Sequence, residues 1–306
     1  MNTTPSLPAD GRALVLGGGG SAGNAWLIGV IAGLCEAGLD VTEADLIIGT
    51  SAGSTAAAQV TGAPPAELLA ATLAAPLRPG HRPAGSDRGS APTKPAANRH
   101  HMDRASAIIA AATDAADMRR RMAAAALQPN STSGSDAHAQ WRATVATRLP
   151  SRLWPQQQLL IAAVDARTGE PVVFDRHSGV DLVDAVAASC SSGFAYAIGD
   201  DRYIDGGYRS GAENADLAAG YARVLVLAPF GGRALTPVDW GMQLATQVDD
   251  LRARGSSVET IFPDGAAGDI FAAGGNVMDP STRPPAARAG YDQGRAVAAQ
   301  LSDFWR

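Results

Sequence analysis

At the start of the chain, short continuous apolar runs alternate with segments in which the apolar residues recur at helical spacing. Residues 13–16 predict a buried strand, and the apolar spacing after the following glycines predicts a helix that stops at Gly38. Residues 46–48 predict a second strand and residues 52–60 a helix of small side chains. This β-α-β-α order predicts a parallel sheet covered by helices on both faces.

The middle of the chain interrupts this order. Residues 76–98 are rich in Pro, Gly, Ser and Arg and predict a loop. An alanine-rich helix is predicted over residues 103–127, and another after Ser135. We therefore expect one domain over residues 1–306, with a variable loop and helical insertion over 76–150. These helices either cover a site or enlarge the core, and the sequence leaves both alternatives open.

The strand pattern then resumes and runs to the C-terminal part of the chain. Strands are predicted at residues 159–164, 171–174, 202–204, 223–228 and 258–262. Helices are predicted at residues 182–189, at 237–255 with Thr236 as N-cap, and at 285–306. The expected fold class is α/β, a three-layer α/β/α arrangement around a mostly parallel central sheet.

Composition and charge narrow the function classes. The 306 residues carry a formal net charge of -5, which gives no reason to expect a nucleic-acid partner. Two cysteines do not make a disulfide framework. The first residues lack the pattern of a signal peptide, and no apolar run reaches the ~20 residues of a membrane span. The expectation is a cytoplasmic protein.

The stretch GGGGSAG follows the first strand and opens a helix. Gly18, Gly20 and Gly23 fit the dinucleotide fingerprint G-x-G-x-x-G. That interpretation needs an acidic residue about 20 positions on, at the end of a second strand. Asp40 has the spacing but precedes the strand. The same glycines can instead present backbone N–H groups to an anion, including a transient oxyanion, or simply form a tight turn.

The stretch Gly49-Thr50-Ser51-Ala52-Gly53 fits G-x-S-x-G between a strand and a helix. In a nucleophile elbow the serine occupies a strained turn that leaves room only for glycine on either side. The pattern therefore indicates that Ser51 is a nucleophile, the alternative being a loop of small residues.

Asp205 ends a predicted strand and is followed by Gly206 and Gly207. A carboxylate in that place could be a base, a metal ligand or a turn former.

A serine hydroxyl needs a base to become a nucleophile, and the usual base is histidine. The order of an α/β-hydrolase triad, serine then acid then histidine, cannot be completed because no histidine follows Asp205. His177 paired with Asp165 or Asp175 remains an alternative, and Cys190 a rival nucleophile or a buried structural thiol. The sequence favours a base other than histidine. The histidines are His81, His100, His101, His138 and His177.

The three blocks together resemble the patatin-like phospholipases. The family combines an N-terminal glycine-rich loop, G-x-S-x-G about 30 residues later and a distal Asp-Gly-Gly. The segments TGEPVVFDRHSGVDLVDAVAASCSSGF and GAENADLAAGYARVLVLAP are also similar to the family. The resemblance implies a patatin-like fold.

The resemblance also implies a mechanism. Ser51 would be the nucleophile, Asp205 the base, and the backbone amides of Gly18, Gly19 and Gly20 the oxyanion hole, with no cofactor or metal. The substrate would be a lipid or other acyl ester, reached at a membrane or micelle surface. The alternatives are a dinucleotide-binding oxidoreductase and a catalytically silent lipid-binding module of the same fold.

Two departures from the family concern the substrate. Many members carry Arg or Lys two residues after the last of the three glycines, where this chain has Ala22. A charge that could meet a lipid phosphate is therefore missing from that place. The segment ASCSSGF also lacks the proline that many members have.

Overall fold

The structure is a computed structural model that describes residues 10–74, 94–128, 134–272 and 276–306. Most of the loop predicted over residues 76–98 lies outside these ranges. Residues 94–98 are described and form the start of a helix, so the loop prediction is wrong for them.

The described residues contain eight strands in one sheet. They are β1 Arg12–Leu16, β2 Leu46–Gly49, β3 Gln158–Asp165, β4 Pro171–Phe174, β5 Tyr196–Ile198, β6 Asp201–Asp205, β7 Arg223–Leu227 and β8 Ser257–Ile261. β1 lies between β2 and β7, β8 lies beyond β7 and β3 beyond β2, all parallel. β4 and β6 pair antiparallel with β3, and β5 pairs antiparallel with β6. The sheet is thus mixed and mostly parallel.

The pairing along β3 brings two chain segments end to end. Ile161 pairs with Gly49 of β2 and with β4, and Ala163 pairs with Asp205 of β6 and with β4. A strand has two edges, and β4 occupies one of them, so β2 and β6 share the other. They run in opposite directions, and their last residues are paired only two positions apart on β3, about 6–7 Å. The carboxyl ends of β2 and β6 therefore meet.

Eleven helices are present in the described ranges. They are α1 Gly20–Glu36, α2 Ala52–Val60, α3 Pro65–Ala74, α4 Lys94–Ala111, α5 Ala115–Ala126, α6 Ser135–Ala146, α7 Leu182–Ser189, α8 Gly207–Ser210, α9 Leu244–Ala253, α10 Gly265–Phe271 and α11 Arg283–Trp305. None of these helices combines the length and the apolar character that crossing a bilayer requires.

Helices cover both faces of the sheet, which confirms the three-layer α/β/α architecture. One face packs against α1, α2, α7 and α11 through side chains such as Leu14, Ile47 and Ile161. The other face packs against α9 in one region, and against α4 and α5 in the region of β3 and β6. Since α4 and α5 contact the sheet directly, they enlarge the core, which was one of the two alternatives for the insertion. α6 packs against α7 on the first face.

α1 and α11 approach each other through glycines. A Cβ atom placed on Gly33 would lie 2.2 Å from the carbonyl oxygen of Tyr291, and one on Gly294 would lie 2.2 Å from that of Val30. No side chain fits at these distances, so the glycines permit backbone contact between the two helices. Because α1 begins at the glycine-rich loop, this contact fixes the helix that carries the loop.

Two predicted helices are wrong in their extent. The helix predicted over residues 103–127 is two helices, because Asp114 adopts extended backbone and its side chain accepts the Asp117 N–H, which caps α5. The helix predicted from Pro237 to Gly255 is a short 3-10 turn followed by α9. Gly241, at φ 69°, interrupts it, and Gln243 rather than Thr236 precedes α9.

We expect Gly33→Ala to destabilise the protein by about 1–3 kcal/mol, the usual cost of forcing an extra methyl group into a filled space. Thermal unfolding measures the effect. Gly268→Ala in α10 is the matched control, because its Cβ would lie 3.6 Å from Pro263 O, an ordinary contact distance, and alanine favours a helix. Equal melting temperatures for wild type and Gly33→Ala would contradict close α1–α11 contact.

Candidate active site

Ser51 lies on the turn that joins β2 to α2 and has a strained backbone, with φ 51° and ψ −116°. A Cβ atom on Gly53 would lie 1.9 Å from Leu16 O, and one on Gly49 2.6 Å from Ser54 Cα. Gly53 is therefore required for α2 to pack this closely against the end of β1, and Gly49 for α2 to pack against the end of β2. The turn has the geometry expected of a nucleophile elbow.

Hydrogen bonds hold the main chain of Ser51 on both sides. Its N–H donates to Ser189 Oγ at 2.9 Å. Its carbonyl oxygen accepts from Ser54 Oγ at 2.7 Å and from Cys190 Sγ at 3.1 Å. The strained conformation is thus stabilised by the end of α7 and the first turn of α2.

Asp205, at the end of β6, accepts a hydrogen bond from the hydroxyl of Ser51. Ser51 Oγ donates to Asp205 Oδ2 at 2.9 Å, and the Gly207 N–H donates to Asp205 Oδ1 at 2.8 Å. The residue is only 7% exposed. Burial raises the pKa of Asp205 from 3.8 to about 6, against the lowering effect of these two hydrogen bonds. At neutral pH the carboxylate is therefore ionised and oriented toward Ser51.

The segment after β6 also depends on glycine. A Cβ atom on Gly206 would lie 2.1 Å from Ala162 O, and one on Gly207 would lie 3.2 Å from Asp205 Oδ1. The Asp205 N–H donates to Ser191 O at 3.3 Å, and the Gly206 N–H donates to Ser189 O at 3.2 Å. Residues 189–191 consequently contact the main chain at both Ser51 and Asp205.

The glycine-rich loop lies beside Ser51. A Cβ atom on Gly18 would be 3.7 Å from Ser51 Cβ, and the Gly18 N–H donates to Ala212 O at 2.8 Å. Within the described part of the chain, the N–H groups of Gly19 and Gly20 have no acceptor. A Cβ atom on Gly19 would lie 2.5 Å from Pro229 Cβ. The loop thus presents two free N–H donors at the start of α1, those of Gly19 and Gly20. The Gly18 N–H is not free, because it donates to Ala212 O.

A segment near the C-terminus supports this loop from outside. The Ala22 N–H donates to Val277 O at 2.9 Å, and a Cβ atom on Gly20 would lie 2.8 Å from Met278 Sδ. Arg283 donates to Ser21 O at 3.0 Å. Ala22 is fully buried, so a charged side chain at this position would not be at the surface. Arg283 provides a cation at the same turn of α1 from a distant part of the sequence.

A second buried carboxyl group lies under the loop. Glu213 is 2% exposed and its Oε1 has no hydrogen-bond partner. A Cβ atom on Gly17 would lie 3.2 Å from Glu213 Cγ. Burial raises the pKa of Glu213 from 4.5 to about 7. Nothing in the local sequence pattern marks this residue, because its neighbours, Gly17 after β1 and Thr50 after β2, are distant in the sequence.

The alternative bases lie elsewhere in the described ranges. The ring of His138 packs against that of Tyr196 at a tilt of 51°, with 5.7 Å between ring centroids. His177 lines a cavity with Gln158 at the amino end of β3, whereas Ser51 follows the carboxyl end of the parallel strand β2. The carboxylate of Asp165 accepts N–H groups of its own turn, as does that of Asp175. Among the described residues, neither Ser51 nor Asp205 has a histidine partner.

The two other hypotheses can be placed as well. Burial raises the pKa of the Cys190 thiol, which donates to the Ser51 carbonyl and so acts as a structural group. Asp40 closes a turn by accepting from Thr42 before β2, while the glycine-rich loop follows β1. Since β1 and β2 are parallel, Asp40 lies near the amino ends of the strands and the loop near their carboxyl ends. This separation disfavours a dinucleotide site.

Comparison with known proteins identifies a family. Residues 14–216, more than half of the chain, match the patatin-like phospholipase family. Among solved structures, similar ones include VipD from Legionella pneumophila, with 12% identity, TM-score 0.41, and coverage of 97% of this chain and 67% of that one. The type III effector protein ExoU shows 14% identity and TM-score 0.37, and covers 96% of this chain. The chain spans about half of ExoU, 54% of its length. No curated protein matches the sequence.

Proposed function

The chain belongs to the patatin-like phospholipase family, a family of lipid acyl hydrolases, and we propose that it hydrolyses a lipid acyl ester with Ser51 as nucleophile and Asp205 as base. The observation that carries the proposal is the hydrogen bond of 2.9 Å from Ser51 Oγ to Asp205 Oδ2. It joins a hydroxyl on a strained turn to a buried carboxylate, and both residues stand in sequence blocks that resemble motifs of the family.

In the first half of the reaction, Ser51 Oγ attacks the acyl carbonyl carbon and its proton moves to Asp205 Oδ2. The resulting oxyanion accepts hydrogen bonds from the free N–H groups of Gly19 and Gly20. When the tetrahedral intermediate collapses, the C–O bond to the alcohol breaks and Asp205 gives its proton to the leaving oxygen.

In the second half, water replaces the alcohol. Asp205 accepts a proton from the water as its oxygen attacks the acyl-Ser51 ester, and the glycine-rich loop receives the second oxyanion. Breaking the bond to Ser51 Oγ releases the carboxylic acid, and the proton on Asp205 returns to the serine. The dyad is then restored without a metal or a redox step.

We expect Ser51→Ala to fold normally and to lose kcat by a factor on the order of 10⁴ to 10⁶, as serine hydrolases do when the nucleophile is removed. Hydrolysis of p-nitrophenyl esters and phospholipids, with labelling by a fluorophosphonate probe, measures the loss. Ser256→Ala is the control, since the hydroxyl of Ser256, a buried residue, donates to Tyr221 O and contacts neither Ser51 nor Asp205. A labelled Ser51→Ala protein would remove Ser51 from the mechanism, whereas an unlabelled wild type would favour the catalytically silent lipid-binding module.

We expect Asp205→Asn to lower kcat on the order of 10³-fold or more, because an amide cannot accept the serine proton. A base must be ionised in the free enzyme, so wild-type kcat/KM should rise with pH through the raised pKa of Asp205, about 6. A histidine would give a similar value, so single replacement of each of the five histidines by glutamine completes the test. Those variants should keep most of the wild-type kcat, and a folded but inactive one would restore a triad.

We expect Gly19→Ala to cost more transition-state stabilisation, calculated from kcat, than free energy of unfolding, calculated from thermal unfolding. The new Cβ would overlap Pro229 and displace the loop, and one lost oxyanion donor costs roughly 3–4 kcal/mol of transition-state stabilisation. Gly38→Ala gives the opposite control, because Gly38 has φ 86° and no neighbour within 4 Å, so alanine strains the turn without touching the site. Proportional losses of activity and stability in Gly19→Ala would support a tight turn alone.

A further inference from the structure

Asn214 lies between the two halves of the proposed dyad. It is fully buried and has the left-handed backbone conformation, with φ 55° and ψ 41°, that asparagine tolerates better than most residues. It precedes the 3-10 turn Ala215–Ala218. A buried amide in such a place must satisfy all of its hydrogen bonds within the protein.

The donor side of this amide contacts both catalytic segments. Asn214 Nδ2 donates to Thr50 Oγ1 at 2.9 Å and to Gly206 O at 2.9 Å. Thr50 immediately precedes Ser51, and Gly206 immediately follows Asp205. One NH₂ group therefore links the residues that flank the nucleophile and the base.

The acceptor side fixes the orientation of the amide. Asn214 Oδ1 accepts from Arg209 Nη1 at 3.1 Å and from the Ser210 N–H at 3.1 Å. These two groups can only donate and the carbonyl of Gly206 can only accept, so a flipped amide would face donors with its NH₂ group. Arg209 is itself held by a bidentate pair with Asp216, at 2.9 Å for both contacts.

From this arrangement we propose that Asn214 is a positioning residue that sets the distance and direction between Ser51 Oγ and Asp205 Oδ2. The inference rests on the proposed function. Ser51 and Asp205 come from strands that meet end to end and share no ladder of their own, so their relative position depends on groups that bridge the gap. A misplacement of about 1 Å in a reacting group can cost on the order of 10²-fold in rate.

Two substitutions separate this role from simple closure of the turn. Asn214→Gly keeps the left-handed backbone accessible and removes all four hydrogen bonds. Asn214→Asp keeps the acceptor for Arg209 and Ser210 but loses both donated bonds. Measured on the alkaline plateau, where Asp205 is ionised, we expect both variants to lose kcat on the order of 10- to 100-fold with KM unchanged. If Asn214→Asp keeps wild-type kcat while Asn214→Gly loses it, the inference is wrong.

Thr50→Val tests the same contact from its acceptor, Thr50 Oγ1. It serves as the test if an Asn214 variant fails to fold. Valine conserves the shape of threonine but removes the oxygen that accepts from Asn214. We expect a similar loss of kcat, and no further loss on combination with Asn214→Asp, because residues acting through one contact are not additive. Fully additive losses would overturn the inference.

A base-free background supplies a readout that structural damage would not reproduce. In Asp205→Asn there is no base to position, so adding Asn214→Gly should cost little further kcat. Gln293→Glu is the matched control, a buried amide-to-carboxylate change at a residue that bonds Trp26 and Phe262 far from the dyad, and it should lose stability but keep kcat. An active, probe-labelled wild type with fully active Asn214 variants would overturn the inference alone, whereas a wild type without hydrolysis or labelling would overturn the proposed function with it.

Discussion

The hydrogen bond between Ser51 and Asp205 depends on two strands that run toward each other along one edge of β3. β2 ends at the level of Ile161 and β6 at the level of Ala163. Continuing either strand by two residues would fill the space in which their ends meet. Gly206 is required for the same reason, since its Cα lies against the carbonyl of Ala162. The site is therefore a gap in one edge of the ladder, and the side chains of Ser51 and Asp205, the proposed nucleophile and base, fill this gap.

A gap of this kind has no strand hydrogen bonds of its own, and the chain supplies substitutes from two sides. On one side, residues 189–191 accept N–H groups at Ser51, Asp205 and Gly206. On the other, Asn214 donates to the residues that flank the dyad. The left-handed φ of Ser51 is tolerated because these partners hold the backbone on both sides. The backbone strain at Ser51 and the contacts that bridge the gap are thus parts of one arrangement.

The sequence pattern predicted most of the features that depend on residues close together in the chain. Seven of the eight described strands, all except the three-residue β5, follow from short apolar runs, and the glycine requirement around Ser51 follows from turn chemistry. The helix predicted from Pro237 failed because Gly241 enters the left-handed region, and the helix over 103–127 failed because Asp114 caps a new one. Ser189, Asn214 and Glu213 could not be assigned roles, because their partners lie 138 to 164 residues away or on other strands. Such contacts exist only once the sheet has formed.

Burial of the two carboxyl groups gives the site its electrostatic character. Asp205 has lost most of its solvent, which raises its pKa to about 6 and makes it a stronger base than an exposed aspartate, yet it stays ionised at neutral pH. Glu213 has a pKa of about 7 and lies behind the glycine-rich loop. While it retains its proton, Glu213 adds no negative charge behind the loop that is proposed to receive the oxyanion. In the proposed dyad, burial therefore gives Asp205 the base strength that an exposed aspartate lacks.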